Sequence, residues 1–523
     1  MRHLRNQIQR LIRDTAGNIL PLAAVGMVVA AMVVGSGIDF SRYYKARNQL
    51  QAACDAGVLA GRRTVSNSGL DAPSIQAAQD YFATNFDDNG QETTGTAFTP
   101  STTDNGQTVR GVASTTLNTL VMRLFGFNTF NISVSCASSM SVGNADVMMV
   151  LDTTGSMDSA LSGSQTRIQA LRAAMKNFYS TLYSATSGTT ARVRYGFVPY
   201  SSTVNVGRLL YALNPSYLAD SHTYQSRQWS TSKSTFYYQP VSYDTSVFKT
   251  FARTQTPTGS NGSTQSSTWD GCIEERATTT ASSFSYSPTT GYSPAGARDI
   301  DIDSAPTTDI NTKWSPQWYQ ISYIRGKNAS SDTSNWTTST TTQGSSVSEY
   351  CPVKAQLLTE MSQTDFNAYA DSLVANGGTY LDIGMIWGGR LISPDGIFSG
   401  NVNIAPSNKG EVARHIIFMT DGQMDTANSS TSAWGIDWWD LRVTQNGSET
   451  TADAVHTSRF RAVCDAIKAK GVRIWAIAFT STLSKDLTYC ASENSSYTAS
   501  DSDELNTAFL EIAKQIGELR ITQ

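Results

Sequence analysis

The stretch "ADVMMVLDTTGSMDSA", residues 145–160, decides the fold. Val147 to Leu151 is a continuous apolar run rather than an alternating one, the pattern of a parallel-type strand buried on both faces. It ends at Asp152, and Thr153, Thr154, Gly155 and Ser156 follow at once. Asp152, Thr154 and Ser156 are spaced alternately across a turn eased by Gly155, so their side-chain oxygens can converge.

Working outward, the same kind of strand recurs between helical patterns. "SQTRIQALRAAMKNFYSTLYS" repeats apolar residues at helical spacing (Ile168, Leu171, Ala174, Met175, Phe178, Leu182), and "ARVRYGFVPYSSTVNV" reads as the next strand. "TDFNAYADSLVANGGTYLDIGMIWGGRLIS" gives two helices about the Gly377, Gly378, Thr379 turn. "RHIIFMTDGQMD" is a buried strand, "TSRFRAVCDAIKAKG" a helix, "VRIWAIAFT" a strand and "SDELNTAFLEIAKQIGEL" a closing helix. Such alternation predicts a parallel sheet with both faces covered, whose ligand crevice lies at the carboxyl ends of the strands. Asp152 and Asp421 both fall at such ends, and Thr379 sits on a glycine-flexed loop. Two carboxylates and three hydroxyls suit a hard divalent cation, Mg²⁺ or alternatively Mn²⁺ or Ca²⁺. An incomplete protein shell would let a partner protein supply a carboxylate. The plainer alternatives are that Ser156 or Asp158 caps a helix, that Thr379 fills a turn and that Asp421 is a turn residue.

These residues resemble the metal-ion-dependent adhesion site (MIDAS) of von Willebrand factor type A (VWA) domains, an Asp-x-Ser/Thr-x-Ser loop followed by a Thr and then an Asp on two later loops. The match is Asp152, Thr154 and Ser156, then Thr379 in "GGTYLDIG", then Asp421 in "FMTDGQ". The resemblance implies an α/β, doubly wound parallel-sheet VWA domain over residues 144–523. In that family the first-loop hydroxyls and the Thr commonly ligate directly, and one or both Asp act through water.

Between "STVNVG" and "AQLLTEMSQTDF" the helix and strand periods disappear, leaving an insertion at about 207–352 that is far longer than an ordinary loop. It is rich in Ser, Thr, Tyr and Trp, as in "TYQSRQWSTSKSTFYYQPV", "TKWSPQWYQISYIRG" and "TSNWTTS". Such aromatics serve either as the core of a subdomain or as a recognition surface. The chain has six cysteines, no CxxC spacing and four histidines, which argues against structural zinc and for disulfides outside the cytoplasm. Buried free thiols are the alternative. The expected pairs are Cys272 with Cys351 at the base of the insertion, Cys464 with Cys490, and Cys54 with Cys136.

The formal charge of −4 and the charged content of 16% give no electrostatic footprint for nucleic acid. Catalysis is not expected: His222, His415 and His456 lie in no nucleophile motif, and there is no P-loop or GxGxxG.

At the amino terminus Arg2, Arg5, Arg10 and Arg13 precede "ILPLAAVGMVVAAMVVGSGI", Ile19 to Ile38, which carries no charge. A helix of that length spans the roughly 30 Å hydrocarbon layer, with the basic flank kept cytoplasmic. A cleaved signal peptide is the alternative, though its apolar core is usually shorter. The expected layout is a cytoplasmic flank at 1–16, a transmembrane helix at 17–38 and a small α+β, pilin-like module at 39–143. In that module an Ala-rich helix and a second helix near Pro73 to Phe86 precede two β-like runs. The succession "RDTAGN", the span, Asp39, "RNQLQAACDAGVLAGR" and "LFGFNTFNISVSC" resembles TadG-like proteins of Tad (Flp) pilus assembly. Leu22 stands where prepilin-peptidase substrates carry Glu, so the segment is expected to remain as an anchor. The resemblance implies a single-pass protein of the bacterial inner membrane with its bulk periplasmic or surface-exposed, contacting a protein partner and other Tad components. The alternative is a structural minor-pilin-like component or an adhesin whose VWA domain needs no metal.

Overall fold

The uncharged run and the Ala-rich segment after it have proline only in the first turn, where its missing N–H breaks no helical bond. They form one unbroken helix, α1 (Ile19–Thr64), 46 residues long. The structure, a computed structural model, describes residues 19–65, 70–103, 108–141, 143–162, 165–326, 339–348, 350–426, 430–517 and 520–521. The expected basic flank at 1–16 and the first residues of the span lie outside these. The chain divides into two compact units, Met1–Ser141 with Leu519–Gln523, and Val142–Glu518.

In the first unit α1 changes character along its length. Leu22, Met27 and Val33 are exposed, whereas Ala46, Leu50, Ala53, Cys54 and Val58 are buried. The buried stretch packs on an antiparallel sheet of β1 (Thr93–Ser101), β2 (Thr108–Asn118) and β3 (Thr129–Ser141), in that order. β2 alternates as a one-sided strand should, with Val109, Ala113 and Leu117 inside and Val112 outside. α2 (Ala72–Asn85) starts at Asp71, whose side chain accepts the Ser74 N–H, and lies against Gly57 and Gly61 of α1. A Cβ on Gly61 would come within 2.8 Å of the Ala78 Cβ, so the glycine sets the close approach. Cys54 and Cys136 form a disulfide between α1 and β3. β1 carries no strand signature, because "TTGTAFTPS" offers few apolar side chains to alternate. The expected range 144–523 for the second domain is too long at its end: the strand Arg520–Ile521 pairs with Met140 and Ser141 and joins this sheet.

The second unit is built on a six-stranded sheet. β4 (Asn144–Asp152), β5 (Val193–Tyr200), β7 (Val412–Thr420), β8 (Arg473–Phe479) and β9 (Ser496–Ala499) run parallel, and β6 (Gln356–Thr359) adds an antiparallel edge. The spatial order is β6, β5, β4, β7, β8, β9. Because successive side chains of β4 point to opposite faces, Val147, Met149 and Leu151 enter one core and Met148 and Val150 another. The first core holds α3 (Arg167–Thr186), α4 (Gln363–Ser372) and α7 (Ser502–Gly517). The second holds α5 (Leu381–Ile392) and α6 (Glu449–Ala469). Cys464 of α6 is bonded to Cys490.

The insertion is folded. Its strands Ser221–Ser230 and Thr235–Asp244 form a hairpin, and Phe248, Trp269, Trp314 and Trp318 are buried in the core on the α5 side of the sheet. These four aromatics therefore serve as core, whereas most of "TSNWTTS", Trp336 included, lies outside the described residues. Glu275 docks this layer: its carboxylate accepts from Trp387 Nε1 at 2.7 Å, Arg390 Nη1 at 2.6 Å and Trp314 Nε1 at 3.0 Å. The Cys272–Cys351 disulfide lies at the base, where Asn205 bridges to Cys272 and to Lys354, just after β5 and just before β6.

Candidate metal site at the carboxyl edge of the sheet

β4 and β7 are parallel neighbours, so the turns that follow them emerge side by side. Asp152 ends β4 and is fully buried; its Oδ1 accepts the Thr154 N–H at 2.9 Å and its Oδ2 accepts the Thr420 hydroxyl at 2.7 Å. The Thr154 and Ser156 hydroxyls are 2.9 Å apart, and Ser156 Oγ donates to Asp421 Oδ1 at 2.7 Å. The loop carrying Thr379 closes on the same turn: Gly155 N donates to the Gly377 carbonyl at 2.9 Å and Asn376 N to the Thr153 carbonyl at 2.7 Å. Thr379 is buried and pairs through its backbone, in both directions, with Asp425 of the loop after β7. The insertion thus leaves Thr379 on a loop that touches the first, despite 222 intervening positions between Ser156 and Thr379.

Burial, and then the charge of Asp421, push the Asp152 carboxyl up to about 6. Two buried carboxylates close enough that one raises the proton affinity of the other ask for a positive charge. Arg167 supplies one, its Nη1 lying 2.7 Å from Asp421 Oδ2. The sequence reading missed it, since an Arg in the first turn of a helix has no distinguishing signature. It is held there because Thr166 N–H donates to Gln169 Oε1 at 3.0 Å, fixing the start of α3. Among the described residues no cluster of three or more His, Cys, Asp or Glu side chains is arranged to hold a metal. A cation here would depend on the hydroxyls as well as on Asp152 and Asp421, an all-oxygen set that fits a hard ion.

One further arrangement was invisible in the sequence. His222 lies between Ser315, whose Oγ is 3.0 Å from Nδ1, and Glu274, whose Oε2 is 2.8 Å from Nε2. The row opens on a cavity of about 280 Å³ that Lys313 and Arg442 also line. Arg442 donates to the same Glu274 oxygen at 2.9 Å. That contact draws off the carboxylate charge on which an imidazole base would rely.

Residues 17–79 match the family model described as Tad, putative Flp pilus-assembly TadE/G-like. The TadE/G-like segment covers all of α1 and just over half of α2, and lies wholly in the first unit. A comparison with curated proteins found no match. Among solved structures, the pilus adhesin SpaC of Lactobacillus rhamnosus GG aligns at 12% identity and TM-score 0.33, over 81% of this chain and 34% of that one. The PilB minor pilin of Streptococcus sanguinis aligns at 10% identity and TM-score 0.33, over 81% and 77%. The vWF domain of the type V pili tip protein Mfa5 from Porphyromonas gingivalis aligns at 11% identity and TM-score 0.31, over 73% and 98%. The chain spans about a third of the length of SpaC.

Proposed function

We infer that the second unit is a doubly wound VWA domain that binds a protein partner through a divalent cation held by Asp152, Thr154, Ser156, Thr379 and Asp421. The chain carries it outside the cytoplasm on an inner-membrane anchor, as part of Tad pilus assembly or surface attachment. The observation that carries this reading is the meeting of three loops from distant parts of the chain, shown by the Ser156–Asp421 and Gly155–Gly377 hydrogen bonds. The TadE/G-like segment and a helix apolar enough to cross a membrane support the anchor and the pilus setting. A bound Mg²⁺ supplies a Lewis-acidic position for a partner's carboxylate. The protein's own part is to hold the hydroxyls in place and, through the buried Asp152 and Asp421, to furnish the charge. No bond is made or broken, so Ser315→Ala is expected to leave hydrolysis of an activated ester at the wild-type background.

The test is thermal unfolding of the full chain with Mg²⁺, Mn²⁺, Ca²⁺ or EDTA. All ten tryptophans lie beyond residue 228, so their fluorescence reports the second unit alone. A cation at one hundred times its dissociation constant stabilises by about 2.7 kcal/mol, and Asp152→Ala should abolish the shift. A wild-type midpoint indifferent to all three ions would remove the metal from the reading. The second reading, a VWA domain that works without metal, is favoured by one contact: Arg167 already balances Asp421.

A further inference from the structure

β2 and β3 are joined by "TLVMRLFGFN", residues 119–128, whose large side chains face outward: Leu124 is 77% exposed, Phe127 57% and Leu120 47%. A cluster of exposed apolar side chains on one loop marks a contact surface. Its place along α1 identifies what it contacts. The buried Asp39 carboxylate accepts the N–H groups of Leu120 at 2.9 Å, Val121 at 3.0 Å and Met122 at 2.8 Å, which ties the 3-10 turn Met122–Phe125 to the helix. Val121 then fits against Gly35, where a Cβ would lie 2.1 Å from its Cγ1. Gly35 stands three residues inside the uncharged run that ends at Ile38, about 4–5 Å along a helix. The loop is therefore held at the level where hydrocarbon gives way to headgroups.

The neighbouring surface has the composition of that level. Val33, Val34 and Ile38 of α1 are exposed on the apolar side, Phe40 and Tyr44 are exposed just beyond, and Arg123 is exposed on the loop. Aromatic rings and long cationic side chains favour the interfacial layer, the rings by their amphipathic shape and the cations by reaching towards anionic headgroups. A second copy or a pilus subunit could bury the same side chains, but the loop's apolar surface is continuous with the lipid-facing surface of α1, and that continuity decides for lipid.

We propose that Leu120–Phe127 is a second membrane contact, an apolar tip immersed in the interfacial layer beside the anchor helix, on the side of the bilayer where α1 emerges. The first unit is thereby held to the bilayer at two points. The proposal rests on reading Ile19 to Ile38 as a span.

All six native cysteines are disulfide-bonded, so a cysteine introduced singly is the sole thiol. Leu124→Cys, Met27→Cys and Tyr81→Cys are made in the full chain, labelled with a polarity-sensitive fluorophore and reconstituted in vesicles of phosphatidylethanolamine and phosphatidylglycerol. Tyr81 is 59% exposed on α2 and serves as the aqueous reference. The label at 124 is expected to show several-fold less quenching by iodide than that at 81. It should also be quenched by a lipid nitroxide placed near the headgroup, while 27 responds to a deep nitroxide. A lipid-exposed 27 with an iodide-exposed 124 overturns this proposal alone. An iodide-exposed 27 overturns the span and the proposal with it. A label at 124 shielded from iodide and from both nitroxides puts a second copy on the face, and equally overturns it.

Discussion

Asp152, Thr154 and Ser156 could be singled out in the sequence because a strand that ends in oxygen-bearing side chains is conspicuous against five apolar neighbours. Asp421 was legible for the same reason. Arg167 was not, because a charge becomes notable only when its partner, 254 positions away, is known. Replacing it tests what it does. Arg167→Ala leaves two buried carboxylates without their cation, so the midpoint in EDTA should fall. The loss should be roughly 1–3 kcal/mol, less than for a wholly buried pair because the Arg167 side chain is 24% exposed. The Mg²⁺-induced shift should grow in the same variant, since a cation then meets an unopposed Asp421. A second test concerns Asp437, fully buried, with neither carboxylate oxygen hydrogen-bonded among the described residues and burial pushing it up to about 6. The folded value lies above the unfolded one, so the protonated acid stabilises the fold. That contribution is complete below the unfolded value near pH 4 and is lost as the pH rises through about 6. Asp437→Asn cannot ionise and should unfold with a flatter pH profile between about 4 and 7. The gain over wild type at pH 8 should be on the order of 2 kcal/mol by tryptophan fluorescence.

At the scale of elements, what the sequence disclosed tracked length and periodicity. α1, α3, β4, β7 and β8 are long or unbroken enough to impose a period, and all were foreseen. β6 and β9 have four residues each and were not; a strand that short is specified by its neighbour's free edge rather than by its own pattern. The inner order of the insertion was equally silent, because its buried tryptophans are spaced by loops. Its closure was legible in Cys272 and Cys351, which the structure joins across 79 positions. Removing that link by the pair Cys272→Ser and Cys351→Ser should cost about 3–4 kcal/mol through the freedom returned to the unfolded chain. Urea unfolding followed by tryptophan emission measures it, and a midpoint equal to wild type would mean that the docking through Glu275 suffices.

For the whole molecule, the anchor reading predicts that after mechanical shearing of cells the protein stays with the membrane fraction and does not co-purify with pili. Its recovery in the sheared fraction would instead make it a pilus component. Retention at the membrane also gives the Cys54–Cys136 disulfide a mechanical meaning. A pull on the second unit enters the first through the end of β3 and leaves through α1 towards the bilayer. The disulfide joins those two elements directly and short-circuits a sequence separation of 82. Tension therefore runs along covalent bonds from β3 to the anchor rod, and α2, β1 and β2 sit in an unloaded loop that no outward force can unzip while the bond is intact.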